Sequence, residues 1–239
     1  MPADTLKELG FHRILNAGGH YTVMGGSCPV REVFQSMEEA SRYWIDMKEL
    51  EVQVGKLLNK YMGCEDGIFT SGAYTSNIIA TEVALARARE KNVSLSNPNV
   101  IIQKSHITRY AQSFTTSGVH LKEIERKSGN ESLWDSVDSS TIAITYVLNE
   151  SEFEFDLRET IEAARKAQIP IIVDAAVVDP PIRGIKQVLA YDPDFISISG
   201  GKGFNGPNAS GLLLGKSDFI SRARALSFPR EPAFFHLLS

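Results

Sequence analysis

Short apolar runs rich in β-branched residues alternate with helix-period segments along most of this 239-residue chain, and that alternation constrains the fold more than any other feature. The strand candidates are Gly67–Thr70, Val100–Gln103, Val119–Ile124, Ile142–Leu148, Ile169–Asp174, Phe195–Ser199 and Gly211–Leu214. Helical spacing reads from about Pro29, a favourable first helical residue, to Met47. A second helix carries Leu50, Val54, Leu57, Leu58 and Tyr61 and ends at Gly63, and Ser76–Arg89 and Leu157–Ala167 follow the same period. The pattern predicts an α/β fold: a mainly parallel seven-stranded sheet with helices on both faces. In such sheets ligands bind at the carboxyl ends of the strands, so the residues after each strand are where chemistry is sought.

Composition narrows the partners. There are 25 basic and 29 acidic side chains, a net charge of −4, and 43% of residues are hydrophobic, enough for a sizeable core. No apolar run approaches the roughly 18 residues of a membrane span, and Met1–Asp4 has neither a basic nor an apolar leader character. Basic residues such as Arg87, Arg89, Lys91, Arg222 and Arg224 are diluted by acids, which argues against a nucleic-acid surface. Cys28 and Cys64 allow at most one disulfide and cannot form a structural zinc site, so reduced thiols and a cytoplasmic setting are expected. His12, His20, His106, His120 and His236 show no metal-ligand spacing, and no metal is expected. Repeats and low-complexity tracts are absent from the sequence, and the polar stretch Lys91–Asn99 reads as a loop.

Four places at strand ends carry chemistry. Ser71-Gly72-Ala73 follows the first strand and opens a helix near Tyr74, so backbone N–H groups and a helix start can face a phosphate; an ordinary tight turn would look the same. Asp174 ends the most apolar strand beside Ala175-Ala176, where a carboxylate needs a cationic partner unless it serves as a turn cap. Lys202 stands in Ser199-Gly200-Gly201-Lys202-Gly203, where the glycines leave room for a bulky ligand beside the amine; desolvated there, the amine becomes a nucleophile toward a carbonyl, whereas in solvent it is a plain loop lysine. His106, in Lys104-Ser105-His106, is by itself an ordinary loop histidine. Two further glycine patterns are decoys. Gly201–Gly206 has dinucleotide spacing but leads into Pro207 and a strand, and Gly211–Ser217 has one residue too few for a phosphate loop.

An anion-binding turn, a strand-end acid and a glycine-flanked lysine together describe a site for pyridoxal phosphate: a Schiff base at the lysine, a partner for the ring nitrogen at the aspartate, and the turn for the phosphate. The residues also carry a family resemblance. Ile14–Gly19, Met24–Ser27, Thr70–Ala73, Ile171–Ala176, Ser199–Gly203, Gly206-Pro207 and Ser210–Leu213 occur in an order that resembles the large domain of fold type I pyridoxal phosphate enzymes. The chain is similar to the group of L-seryl-tRNA(Sec) selenium transferase and D-glucosaminate-6-phosphate ammonia-lyase, over about residues 10 to 226. The resemblance implies the aspartate-aminotransferase-like large domain. It implies Lys202 as the Schiff-base lysine, Asp174 as the partner of the pyridine nitrogen, Ser71, Gly72, Ala73 and Ser199 on the phosphate, His106 over the ring, and Asn149 near the phenolic oxygen.

It further implies an N-terminal segment with the first helix over 1–48, a cofactor-binding large domain over 49–226, and the start of a C-terminal region over 227–239, most of the family's small C-terminal domain being absent. The implied reaction is a β-elimination from an amino acid bearing a β-hydroxyl, with Lys202 as covalent anchor and general base; the favoured substrate is a small or phosphorylated sugar amino acid touched by Leu15–Gly26 and Arg109. Selenium transfer, class V-like amino transfer and a catalytically incomplete cofactor-binding protein are the alternatives. A homodimer or larger homo-oligomer is the expected partner state, without nucleic acid or membrane.

Overall fold

The computed structural model describes residues 3–12, 14–91, 96–126, 131–148, 154–179 and 181–227. Residues 92–95 of the Lys91–Asn99 loop, Asn149, and 228–239 of the expected C-terminal region lie outside the described residues. Seven strands form one sheet: β1 (Asp66–Thr70), β2 (Asn99–Gln103), β3 (His120–Ile124), β4 (Thr141–Val147), β5 (Ile171–Asp174), β6 (Phe195–Ser199) and β7 (Gly211–Gly215). Their order is β1-β7-β6-β5-β4-β2-β3. The pairs β6–β5, β5–β4, β4–β2 and β2–β3 are parallel, while β7 is antiparallel to both β1 and β6.

The inner strands are buried on both faces because helices cover both, while the edge strands β1 and β3 are partly exposed. Val54 and Leu58 of α3 (Met47–Met62), Ile161 of α5 (Leu157–Ala167), and Ile185 and Val188 of α6 (Pro181–Leu189) pack with Ile171, Val173, Ile196 and Ile198 on one face. On the other, Ile79, Ala80 and Val83 of α4 (Ala73–Glu90) and Phe219, Ile220 and Ala223 of α7 (Ser217–Ser227) pack with Ile68, Ile172, Phe195 and Leu213. Successive residues of a strand serve opposite faces, which is why Ile171–Val173 reads as a continuous apolar run. Each such isoleucine contributes roughly 1.5–3 kcal/mol by leaving water.

The expected fold class matches this architecture, with differences at boundaries. The helix expected from Pro29 to Met47 is α2 and spans only Arg31–Ala40. It does not run on to Met47 because the Asp46 carboxylate accepts from the N–H groups of Lys48 and Glu49 and starts α3 there. β5 begins at Ile171 rather than Ile169. Pro170 has no N–H to donate and contributes only its carbonyl, to Ile144 N at 3.0 Å. α6 and α7, together with a short N-terminal helix α1 (Ala3–Glu8), are helices beyond those the hydrophobic pattern was read to give. α6 does carry a helical period, with Ile182, Ile185, Val188 and Leu189 on one side, but over only 9 residues.

Candidate functional site

Strand direction assembles the site. β1, β4, β5 and β6 point one way, so Thr70, Val147, Asp174 and Ser199 end at one rim, and antiparallel β7 starts there with Gly211 facing Thr70 and Ser199. At this rim lies a cavity of about 450 Å³ whose walls include Ser71, Gly72, Ala73, Asn77, Tyr110, Asp174, Ser199 and Lys202. Residues separated by as many as 187 positions, Thr22 and Ala209, thus meet around one volume.

The β1–α4 turn presents a bare helix start. Gly72 precedes Ala73 with φ +136°, a backbone conformation that side chains disfavour, and no side chain caps the helix. The hydroxyls of Ser71 and Thr75 meet at 3.0 Å. Thr70 and Ser76 hydroxyls meet at 2.8 Å, and Ser76 Oγ also donates to Leu212 O at 3.1 Å, which ties the turn to β7. Uncapped N–H groups at a rigid turn form an anion cradle.

Asp174 is 7% exposed. Its Oδ2 accepts from Asn77 Nδ2 at 2.8 Å and its Oδ1 from Ala176 N at 3.0 Å. Burial raises the carboxyl above its ordinary range; the hydrogen bonds from Asn77 and Ala176 and the charge of Lys202 pull the other way. Among the described residues it has no ion-pair partner within 4.0 Å. A buried carboxylate held by two neutral donors and lacking a cation fits a cationic ring nitrogen in the cavity, so the residues present fit pyridoxal phosphate.

Lys202 sits half-buried in a tight turn closed by Asn205 N donating to Lys202 O at 2.8 Å, and its Nζ lies 5.9 Å from the centre of the Tyr110 ring. The glycines beside it serve a different purpose from the one expected. A Cβ on Gly201 would lie 2.6 Å from Asn208 Cα, and one on Gly203 2.9 Å from Val178 O, so both glycines let backbone pack on backbone rather than clear space for a ligand. The loop is braced from the N-terminal segment: Ser27 N donates to Gly201 O at 2.8 Å and Ser27 Oγ to Gly206 O at 2.9 Å. That contact gives Met24–Ser27 a physical role.

Two expected residues do not reach the cavity's walls. His106 is 1% exposed, its Nδ1 accepts from Val147 N at 3.3 Å, and its ring meets Tyr146 edge-on at 4.8 Å. Burial lowers its pKa against the pull of Glu154, and the imidazole is a neutral support beneath the β4 rim rather than a group over a ring. The exposed aromatic faces in the wall belong to Tyr110 and Tyr74. Arg109 is exposed, its guanidinium 5.8 Å from the centre of the Tyr110 ring, and does not line the cavity; Thr22 of the Leu15–Gly26 loop does. Asn77 and Tyr110 were missed by sequence reasoning. The available signal for Asn77 was a polar side chain one helical turn after Ala73.

The Aminotransferase class-V family model matches residues 9–229. The chain is 27% identical to the D-glucosaminate-6-phosphate ammonia lyase of Salmonella typhimurium, over 94% of this chain and 64% of that protein. It is 26% identical to the 5'-C-glycyluridine monooxygenase-decarboxylase of a Streptomyces species, over 92% of this chain and 58% of that protein. A solved structure of D-glucosaminate-6-phosphate ammonia-lyase superposes with a TM-score of 0.82 at 24% identity, covering 94% of this chain and 64% of the other. The chain therefore spans about three-fifths of the length of the curated relatives it matches. With the family model covering nearly the whole chain and the strand-end site in its cavity, this chain belongs to the class-V aminotransferase family.

Proposed function

We propose that the chain provides the cofactor-binding part of a pyridoxal phosphate-dependent lyase that eliminates a β-hydroxyl from an amino acid, with a small or phosphorylated sugar amino acid as substrate. The family is pyridoxal phosphate-dependent. The observation that carries the reading is the meeting of Lys202, Asp174 and the Ser71–Ala73 helix start around one cavity. The substrate class follows the name of the ammonia lyase relative.

Each residue has a role set by its chemistry. Ser71, Gly72 and Ala73 offer N–H groups and a hydroxyl to the phosphate, and the Ser199 hydroxyl adds a further donor. Asp174 would keep the ring nitrogen protonated, and Tyr110 and Tyr74 offer aromatic faces in the same cavity. When bound, the cofactor supplies an electron sink for charge at the substrate α-carbon. Lys202 Nζ would hold it covalently, and as a free amine Nζ would take the substrate's α-proton and return a proton to the departing β-hydroxyl, which leaves as water. The product enamine hydrolyses to a keto acid and ammonia. A class V-like aminotransferase would use the same lysine and aspartate but return the cofactor in its amine form.

Two finer statements belong to the same proposal. The exposed apolar side chains of the N-terminal third, including Leu15, Val23, Phe34, Tyr43, Trp44 and Tyr61, form a homodimer interface. The free thiols Cys28 and Cys64 suit the reducing cytoplasm.

The deciding experiment is the visible absorption spectrum of the purified protein with added pyridoxal phosphate, beside Lys202→Ala. A yellow band in the parent that is lost in the variant supports the reading, and a parent without the band overturns it. Given the cofactor, release of ammonia from β-hydroxy amino acids separates a lyase from an aminotransferase.

A further inference from the structure

We propose that Asn77 is a positioning residue that holds Asp174 in its charged form toward the cofactor's ring nitrogen and couples it, through Ser113, to the Tyr110 wall of the cavity. The inference rests on the pyridoxal phosphate reading above and extends it to a residue that neither binds phosphate nor reacts.

The hydrogen-bond directions leave one arrangement. Ser113 Oγ donates to Tyr110 O at 2.8 Å, so its oxygen is available as an acceptor and takes Asn77 Nδ2 at 3.3 Å. The same Nδ2 donates its other hydrogen to Asp174 Oδ2 at 2.8 Å. Reversing the amide would set Asn77 Oδ1 against the carboxylate, so the two acceptors fix its orientation. Asn77 is 1% exposed and Ser113 fully buried, and water does not compete for either bond. Oδ1 of Asn77 is left buried and without a partner among the described residues. A helix that accepts that cost to aim both amide hydrogens at Asp174 and Ser113 has a reason beyond packing.

The consequence concerns charge. Among the described residues Asp174 has two donors, Asn77 and the N–H of Ala176. Removing one favours the neutral acid, which cannot pair with a ring cation. Asn77 is therefore worth most to a cofactor with a basic ring nitrogen and nothing special to a cofactor without one.

That difference makes the test. Affinities for pyridoxal phosphate and for its 1-deaza analogue, in which ring nitrogen is replaced by C–H, are measured by absorption titration for the parent, Asn77→Leu and Asn77→Ala. The parent is expected to prefer the natural cofactor, and each variant to lose about tenfold of that preference, the size of a hydrogen bond to a charged group. The preference is a ratio within each protein, so general loosening of the fold cancels, and the alanine variant serves if the leucine variant does not fold. Equal loss for both cofactors would make Asn77 a packing residue and overturn the inference while leaving the cofactor reading in place. A parent that binds natural cofactor and analogue equally would overturn the role of Asp174, and with it this inference.

Discussion

Asp174 carries opposed demands in one side chain. Its burial raises the carboxyl's pKa, so folding requires the group to be desolvated while the proposed function requires it to be charged. For an acid whose folded pKa lies above its unfolded value, the unfolded state gives up the proton first, and stability falls as pH rises from the ordinary value of 3.8 through the folded one. In Asp174→Asn this pH dependence disappears, while its amide offers one acceptor to the two donors that met the carboxylate. The cofactor-free variant is expected to lose less of its melting temperature than the parent as pH rises above the ordinary carboxyl range, while pyridoxal phosphate binds at least tenfold more weakly. Calorimetry of the cofactor-free proteins across pH and absorption titration check the two halves separately. A variant that keeps the parent's pH dependence and binds normally would remove Asp174 from the site. At this scale Lys202, Asp174, Ser71–Ala73 and Ser199 were legible because each follows a strand, where parallel sheets collect ligands. Asn77 was not, because its meaning comes from a contact with Asp174, 97 residues away.

At the scale of elements, the edge of the sheet has an acid-sensitive fastening. Asp138 precedes β4, pairs with Lys122 of β3 at 2.6 Å, and accepts from Asn99 of β2 at 3.3 Å and from Ser140 N at 2.8 Å. The lysine hydrogen bond, more than burial opposes it, brings the Asp138 pKa down to about 2. A depressed pKa gives stability that is present above the ordinary 3.8 and lost as pH falls through about 2. Amide exchange in β3 is expected to accelerate between about pH 4 and 2 before exchange in β5 does, and Lys122→Met should shift that onset upward. The pair is half-exposed, so the effect is modest and shrinks in high salt. Helix α5 offers a plainer case: Asp156 accepts from Glu159 N at 2.8 Å while the Glu159 side chain accepts from Asp156 N at 3.0 Å. Asp156→Ala is expected to cost about 1 kcal/mol in urea unfolding. This capping box made the expected bounds of α5 and its observed bounds coincide. α2 has no side-chain cap at its start and ends at Ala40, before Asp46 caps the next helix.

At the scale of the molecule, the two faces of the sheet are covered but the N-terminal third is not. Trp44 is as exposed as in an extended chain, at 104%, and Leu15 is 97% exposed. If this surface is a homodimer interface, as proposed, sedimentation of the parent should give a dimer at micromolar concentration, and Trp44→Glu should shift the equilibrium toward monomer with the melting of isolated protomers unchanged. A parent that stays monomeric at high concentration would overturn the interface. The sequence by itself determined the class of fold, since period-2 and period-3.6 hydrophobic patterns are local, and it marked Lys202, Asp174 and the Ser71–Ala73 turn, which the fold gathers around one cavity, since strand ends are local too. Only the tertiary structure decided that β7 runs against its neighbours and brings Gly211 to the same rim as Thr70 and Ser199. It also decided that His106 lies beneath that rim while Tyr110 faces the cavity, and that Asn77 reaches Asp174. These are contacts between distant segments, and hydrogen bonds and burial at such points depend on how the sheet is ordered rather than on the residues beside them in the chain.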